Sequence, residues 1–230
     1  MVLPELFATG YQFTSKAEVD ALAEPVSGGE TCTRLADIAR DRRMTIVAGF
    51  PERDGATCYN SAIVIGPTGV LGCYRKTHLF FEETQFFAPG NSGFQVWDIG
   101  QAKIGVMVCF DWYYPESART LALAGADIIC HPSNLVLPHC PDAMVTRCLE
   151  NRVFAITANR TGVEERGGKP RLTFIGNSEV VSPRGKILHR APADQDALAI
   201  VEIDPHEARN KVLNPYNDLL ADRRPELYTS

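Results

Sequence analysis

The chain has 230 residues, 45% of them hydrophobic and 22% charged, a balance that supports an ordinary buried core. Its formal net charge of -5 argues against a nucleic-acid or anionic-membrane surface as the main partner. No apolar run approaches the roughly 20 residues a membrane span needs, no basic-then-apolar leader opens the chain, and the seven cysteines, odd in number and without disulfide-like spacing, read as reduced thiols of a cytoplasmic protein.

In chain order, Val2-Leu3-Pro4-Glu5-Leu6-Phe7 first sets an acid among apolar residues. Residues 29–42 read as a helix, with Ser27 three positions before Glu30 as a capping box. Strand patterns follow at 44–49, 59–66 and 70–75, the last two joined by the hairpin signal Gly66-Pro67-Thr68-Gly69, and Lys76 follows the third. The apolar run 102–108 reads as a buried strand ending at Cys109. A turn then leads into a helix over 115–125, with Pro115 in its first turn and Gly125 at its C-cap. Further strands are predicted at 127–131, 153–159, 176–181 and 198–203, and helices at 141–152 and 205–212. Ser182-Pro183-Arg184-Gly185 is a second hairpin signal. Several strands are apolar at nearly every position, as expected when both faces are covered. The alternation predicts an α/β layered domain with a mixed sheet, a single domain over 1–230.

Cys109 stands on a strand-to-helix elbow. There it faces the free N–H groups of a helix start, a setting expected to favour thiolate and to accept a negative oxygen. Glu5 and Lys76 occupy positions where local pattern predicts strand ends. A carboxylate, an ammonium and a thiol are what acyl transfer through a thioester requires: a proton acceptor, a stabiliser of charge and a nucleophile. Taken singly, each residue has a plainer reading as a solvated loop charge or a packed cysteine. Asp111 is expected to satisfy elbow N–H groups, and His78, two residues beyond Lys76, to pack or hydrogen-bond rather than serve as a papain-like base. Arg147 and Glu150 stand at i, i+3 helical spacing and read as a structural pair. Glu164-Glu165-Arg166-Gly167-Gly168-Lys169 reads as a mobile surface loop bordering a pocket entrance. Cys130-His131 and His139-Cys140 invite a zinc reading. Adjacent residues on an extended segment point to opposite faces, however, and the usual gap between paired ligands is missing, so no metal site is expected.

Pro4-Glu5-Leu6-Phe7 with Gly10-Tyr11, then Tyr74-Arg75-Lys76-Thr77-His78-Leu79-Phe80, then Cys109-Phe110-Asp111 with Pro115-Glu116, resemble the three signature blocks of the nitrilase, or carbon–nitrogen hydrolase, superfamily. The resemblance covers essentially the whole chain, through Arg147, Glu150-Asn151-Arg152, Asn159-Arg160, Gly176-Asn177-Ser178 and Asn217-Asp218-Leu219 to Arg223-Arg224. It implies a four-layer α-β-β-α sandwich. It implies Glu5 as general base, Lys76 as stabiliser of the tetrahedral intermediate and Cys109 as nucleophile. Glu83, with Glu82 as fallback, would be a second glutamate orienting the lysine and substrate. The Phe110 N–H would complete an oxyanion hole, and Tyr113, Asn134, Phe81 and Phe86 would line the pocket. The implied reaction is hydrolysis of a small-molecule amide, carbamoyl compound or nitrile, with no metal or organic cofactor, in a homodimer or larger homo-oligomer.

Two departures stand out. Members usually carry a strand and a helix ahead of the glutamate block, which here starts at Met1. The expected sandwich therefore lacks its first strand and helix, which would leave sheet N–H and C=O groups unpaired and keeps open the alternative of a catalytically silent binding or assembly protein. The nucleophile is followed by Phe110-Asp111-Trp112-Tyr113-Tyr114, closer to a prokaryotic nitrilase/amidase-like branch, so a nitrile preference does not follow.

Overall fold

The computed structural model describes residues 1–228. Strands β1 (Ile46–Asp54), β2 (Thr57–Gly66) and β3 (Gly69–Arg75) form an antiparallel sheet in that order. Side chains alternate across it, as strand geometry requires. Ile46, Ala48, Phe50, Ile63 and Ile65 pack against Cys32, Leu35 and Ala39 of helix α2 (Glu30–Arg42), following helix α1 (Lys16–Leu22) in the chain. Val47, Ala62, Val64 and Tyr74 point the other way, into the main core.

The opposite wall of that core is a six-stranded mixed sheet. Its members are β4 (Val96–Asp98), β5 (Lys103–Val106), β6 (Ile128–Ser133), β7 (Phe154–Asn159), β10 (Glu179–Val181) and β11 (Ile187–Arg190). The short pair β8 (Val163–Glu164) and β9 (Leu172–Thr173) stands apart from it. Strands β5, β6 and β7 run parallel, and the outer pairings are antiparallel. Between β3 and β4 lies the one-turn helix α3 (Glu83–Phe86). Every residue of β6 is buried, because α4 (Pro115–Leu123) and α5 (Cys140–Asn151) cover the sheet's far face. The layers are thus α2, sheet, sheet, then α4 with α5: the four-layer sandwich. Among the described residues no helix is long and apolar enough to cross a membrane.

Both hairpin signals close antiparallel pairs. Pro115 opens α4, and Gly125, at φ 90°, follows its end. Several expectations need correction. The segment 198–203 forms no strand: Leu198 and Ile200 are exposed and no neighbouring chain pairs with them. A short apolar run yields a strand only where a ladder partner exists. The helix predicted over 205–212 is the single turn α6 (His206–Arg209), and the strand predicted over 176–181 begins only at Glu179. Ser27 does not cap α2, whose N-cap is Gly29. The carboxylate of Glu24 instead takes the Thr31 N–H at 2.7 Å and its hydroxyl at 2.6 Å. Helix α1, capped by Ser15, was not predicted.

Candidate active site

Glu5 reaches the core because residues 1–7 run beside β1. The Leu3 N–H donates to Val47 O, the Gly49 N–H to Pro4 O and the Phe7 N–H to Gly49 O. This close approach needs glycine at 49: a Cβ there would lie 2.5 Å from Glu5 Cα. Lys76 continues the β3 ladder, donating its N–H to Asn60 O, while Gly90 passes so close behind it that a Cβ would collide with the Arg75 carbonyl. Cys109 opens a 3-10 helix, Cys109–Tyr113, just after β5, and Glu83 begins α3. Cys109 sits at φ 44°, in the left-handed region that costs a non-glycine residue about 1–3 kcal/mol.

Asp111 fixes the elbow to the lysine loop. Its Oδ2 accepts from the Val108 N–H at 2.8 Å and the Tyr74 hydroxyl at 2.7 Å, and its Oδ1 accepts from the His78 N–H at 3.1 Å. The His78 ring stands 2.8 Å from the same Oδ1, so His78 serves as a structural hydrogen-bonding partner. Arg147 pairs with Glu150 at 3.1 Å and donates to Trp112 O at 3.4 Å, as the i, i+3 spacing suggested.

The structure brings Glu5, Lys76 and Glu83 together. Lys76 Nζ donates to Glu5 Oε1 and to Glu83 Oε1, both at 2.8 Å, and none of the three side chains is more than 3% exposed. Two residues that sequence reasoning missed complete the cluster. Asn60 Nδ2 donates to Glu5 Oε1 at 2.7 Å and to Glu83 Oε2 at 3.3 Å, and the Tyr11 hydroxyl donates to Glu83 Oε1 at 2.6 Å. Asn60 stands beside Ser61 in β2, so nothing in the strand's own pattern singles it out. Asn134 joins the cluster through its side chain: its Nδ2 donates to the Glu5 carbonyl at 2.8 Å. Glu82 points elsewhere and pairs with Lys169 at 2.7 Å.

Two carboxylates against one ammonium leave the enclosure negative. Burial pushes the Cys109 thiol well above its ordinary value and Glu5 adds to this, outweighing Lys76. This corrects the expectation that the elbow favours thiolate: Cys109 rests protonated and needs a base. Burial also raises Glu83, to about 6, against the pull of Lys76. Burial disfavours the Lys76 charge, but Glu5 and Glu83 override it and hold Lys76 above its ordinary value.

Of the expected pocket residues, Phe110 packs tilted or edge-on in an aromatic group with Phe80, Tyr113 and Tyr114, at ring separations of 4.9, 5.5 and 5.7 Å. Phe81 and Phe86 line a narrow cleft with Tyr11 and Glu83. The loop expected to be mobile is strapped down: Arg166 binds the Gln12 backbone and side chain and pairs with Glu18, and Lys169 holds Glu82. The four residues of the zinc reading separate. Cys130 and Cys140 are packed in the core and His131 binds backbone; among the described residues no three potential ligands cluster.

A cysteine on a left-handed elbow and a buried lysine braced by two carboxylates, carried by a four-layer sandwich, fit a hydrolase. The chain belongs to the carbon-nitrogen hydrolase family, whose model matches residues 1–211. It is 53% identical to a nitrilase of Pyrococcus abyssi over 99% of this chain and 85% of the relative. A carbon-nitrogen hydrolase from Helicobacter pylori G27 superimposes with a TM-score of 0.89 at 30% identity, covering 99% of this chain and 84% of that one. A variant amidase from Nesterenkonia sp. AN1, showing the acetamide moiety of fluoroacetamide added covalently at the active site cysteine, superimposes with a TM-score of 0.78 at 29% identity, covering 98% and 81%.

Proposed function

We propose that this enzyme hydrolyses a non-peptide carbon–nitrogen bond of a small amide, carbamoyl compound or nitrile through a Cys109 thioester. Cys109 attacks the substrate carbon while Glu5 takes the thiol proton. The Lys76 ammonium and the Phe110 N–H hold the charge that develops on the substrate oxygen or nitrogen. Glu83 keeps Lys76 in place. Ammonia or an amine departs carrying the proton from Glu5, which leaves the thioester. Glu5 then draws a proton from water, the hydroxide adds to the thioester carbon, and the carboxylic acid and free thiol are released. A nitrile adds one water more, through a thioimidate. The scheme requires no metal or organic cofactor. Phe110 and Tyr113 wall the acyl side, and Asn134 orients the backbone that carries Glu5.

The observation that carries this reading is Lys76, fully buried and 2.8 Å from each of two carboxylates in the enclosure that also holds Cys109. A structural ion pair needs one carboxylate; a second leaves surplus negative charge, which suits proton abstraction from a thiol that rests protonated. The acetamide adduct at the cysteine of the Nesterenkonia amidase supports the same role for Cys109.

The test is ammonia release across aliphatic amides, N-carbamoyl amines and nitriles, with the parent protein and Cys109→Ala. Turnover in the parent and none in the variant is expected. Undiminished turnover in Cys109→Ala would overturn the reading.

A further inference from the structure

His131 lies on β6, fully buried, and takes no part in the scheme above. Its Nε2 stands 2.9 Å from the Cys109 carbonyl oxygen and its Nδ1 3.1 Å from Thr157 Oγ1. Ser133 Oγ is 3.1 Å from Nε2 and donates its own proton to the His131 carbonyl at 3.3 Å. A carbonyl oxygen only accepts, so Nε2 carries the proton and Nδ1 accepts from the Thr157 hydroxyl. Burial pushes His131 down to about 4, so the ring is neutral at pH 7 and has a single N–H to give.

The Cys109 carbonyl belongs to the same peptide plane as the Phe110 N–H. No cis peptide occurs among the described residues, and in a trans peptide C=O and N–H point in opposite directions. Holding the carbonyl toward β6 therefore sends the N–H away from β6. Cys109 occupies a sparsely populated conformation at φ 44°, which persists only where surrounding contacts determine it.

We propose that His131 is a positioning residue: by gripping the Cys109 carbonyl it aims the Phe110 N–H at the charge that develops during acyl transfer. The hydrogen bond at oxygen also polarises the peptide and strengthens the N–H as a donor. Thr157, donating to Nδ1, holds the ring in place. The proposal rests on the reading of Cys109 as nucleophile and the Phe110 N–H as oxyanion donor.

The experiment compares His131→Leu, which cannot donate, with His131→Gln, whose amide nitrogen can replace Nε2. Two rates are read. One is kcat for ammonia release from whichever of acetamide, propionamide or N-carbamoyl amines the parent turns over fastest. The other is alkylation of Cys109 by iodoacetamide, in which the S–C bond forms as iodide leaves and no charge develops on oxygen. His131→Leu is expected to lower kcat about 100-fold, the effect of losing an oxyanion donor, with KM and alkylation changing less than about threefold. His131→Gln is expected to recover at least about tenfold of that loss. A kcat within about threefold of the parent in His131→Leu, or equal losses in kcat and alkylation, would overturn the proposal. Should His131→Leu fail to fold, Thr157→Val decides. It removes the hydrogen bond that holds Nδ1 and loosens the ring, and is expected to lower kcat about tenfold at unchanged alkylation; an unchanged kcat would overturn the proposal. Residual turnover in Cys109→Ala would instead strike the reading beneath it.

Discussion

The Tyr11 hydroxyl donates to Glu83 Oε1 at 2.6 Å, on the same oxygen that takes the Lys76 ammonium at 2.8 Å. Burial raises Glu83 to about 6, and this phenol, which stabilises the ionised carboxylate, keeps it from rising further. A hydrogen bond to a charged group contributes about 1.5–3 kcal/mol, and each pKa unit corresponds to about 1.4 kcal/mol. Tyr11→Phe is therefore expected to raise Glu83 by about one unit. The acidic limb of kcat/KM should move to higher pH by that amount, which a pH–rate profile measures.

Lys76 is the counter-charge for two buried carboxylates. Lys76→Met leaves both unpaired, and breaking a buried ion pair in this way costs about 3–5 kcal/mol. Urea unfolding should show that loss near pH 7, recovering partly at low pH as the carboxylates gain protons. Ammonia release should vanish.

Asp111 accepts from Val108, Tyr74 and His78. Asp111→Asn replaces one accepting oxygen with a donating amide, setting donor against donor. The cost is expected to be about 2 kcal/mol in unfolding free energy, with a fall in kcat as the elbow and the lysine loop lose their common anchor. Denaturation and steady-state kinetics on the same preparation check both.

Glu179 on β10 is gripped by Arg190 at 2.8 Å, but its Oε1 has no partner among the described residues, and burial pushes it up to about 7. Its folded value lies above its unfolded one, so the native state holds the proton longer. The contribution to stability is full below about 4.5 and is lost as pH rises through 7. Glu179→Gln does not titrate. Relative to the parent it should gain on the order of 2 kcal/mol between pH 4.5 and pH 8, after solvent screening of the half-buried Arg190 is allowed for. Urea midpoints at the two pH values measure this.

Strand pattern alone marks Glu5, Lys76 and Cys109 only as polar residues beside apolar runs, and it is the resemblance of their three blocks to the carbon–nitrogen hydrolases that implied their roles; the structure brings Glu5 and Lys76 to 2.8 Å. Cys109 was legible as a position and misread as an electrostatic environment. Whether a thiol at a helix start is thiolate depends on what the rest of the chain folds around it, and here burial, with Glu5 and Glu83, reverses the local expectation. Tyr11 and Asn60 act across distant segments, so no local pattern marks them. His131 carried a signal of the wrong kind: beside Cys130 it suggested a metal, whereas its partner is a backbone carbonyl, a group common to every residue. The false strand at 198–203 shows the same limit, since an apolar run signals burial and leaves the neighbour unspecified.

The close passage of Glu5 over Gly49 has a consequence for anyone screening variants. Position 49 carries no functional group, so inspection of the pocket would never nominate it. Alanine there would nonetheless push the opening segment off its neighbour by the width of a methyl group, and inactive clones will accumulate at a residue with nothing to lose but its smallness.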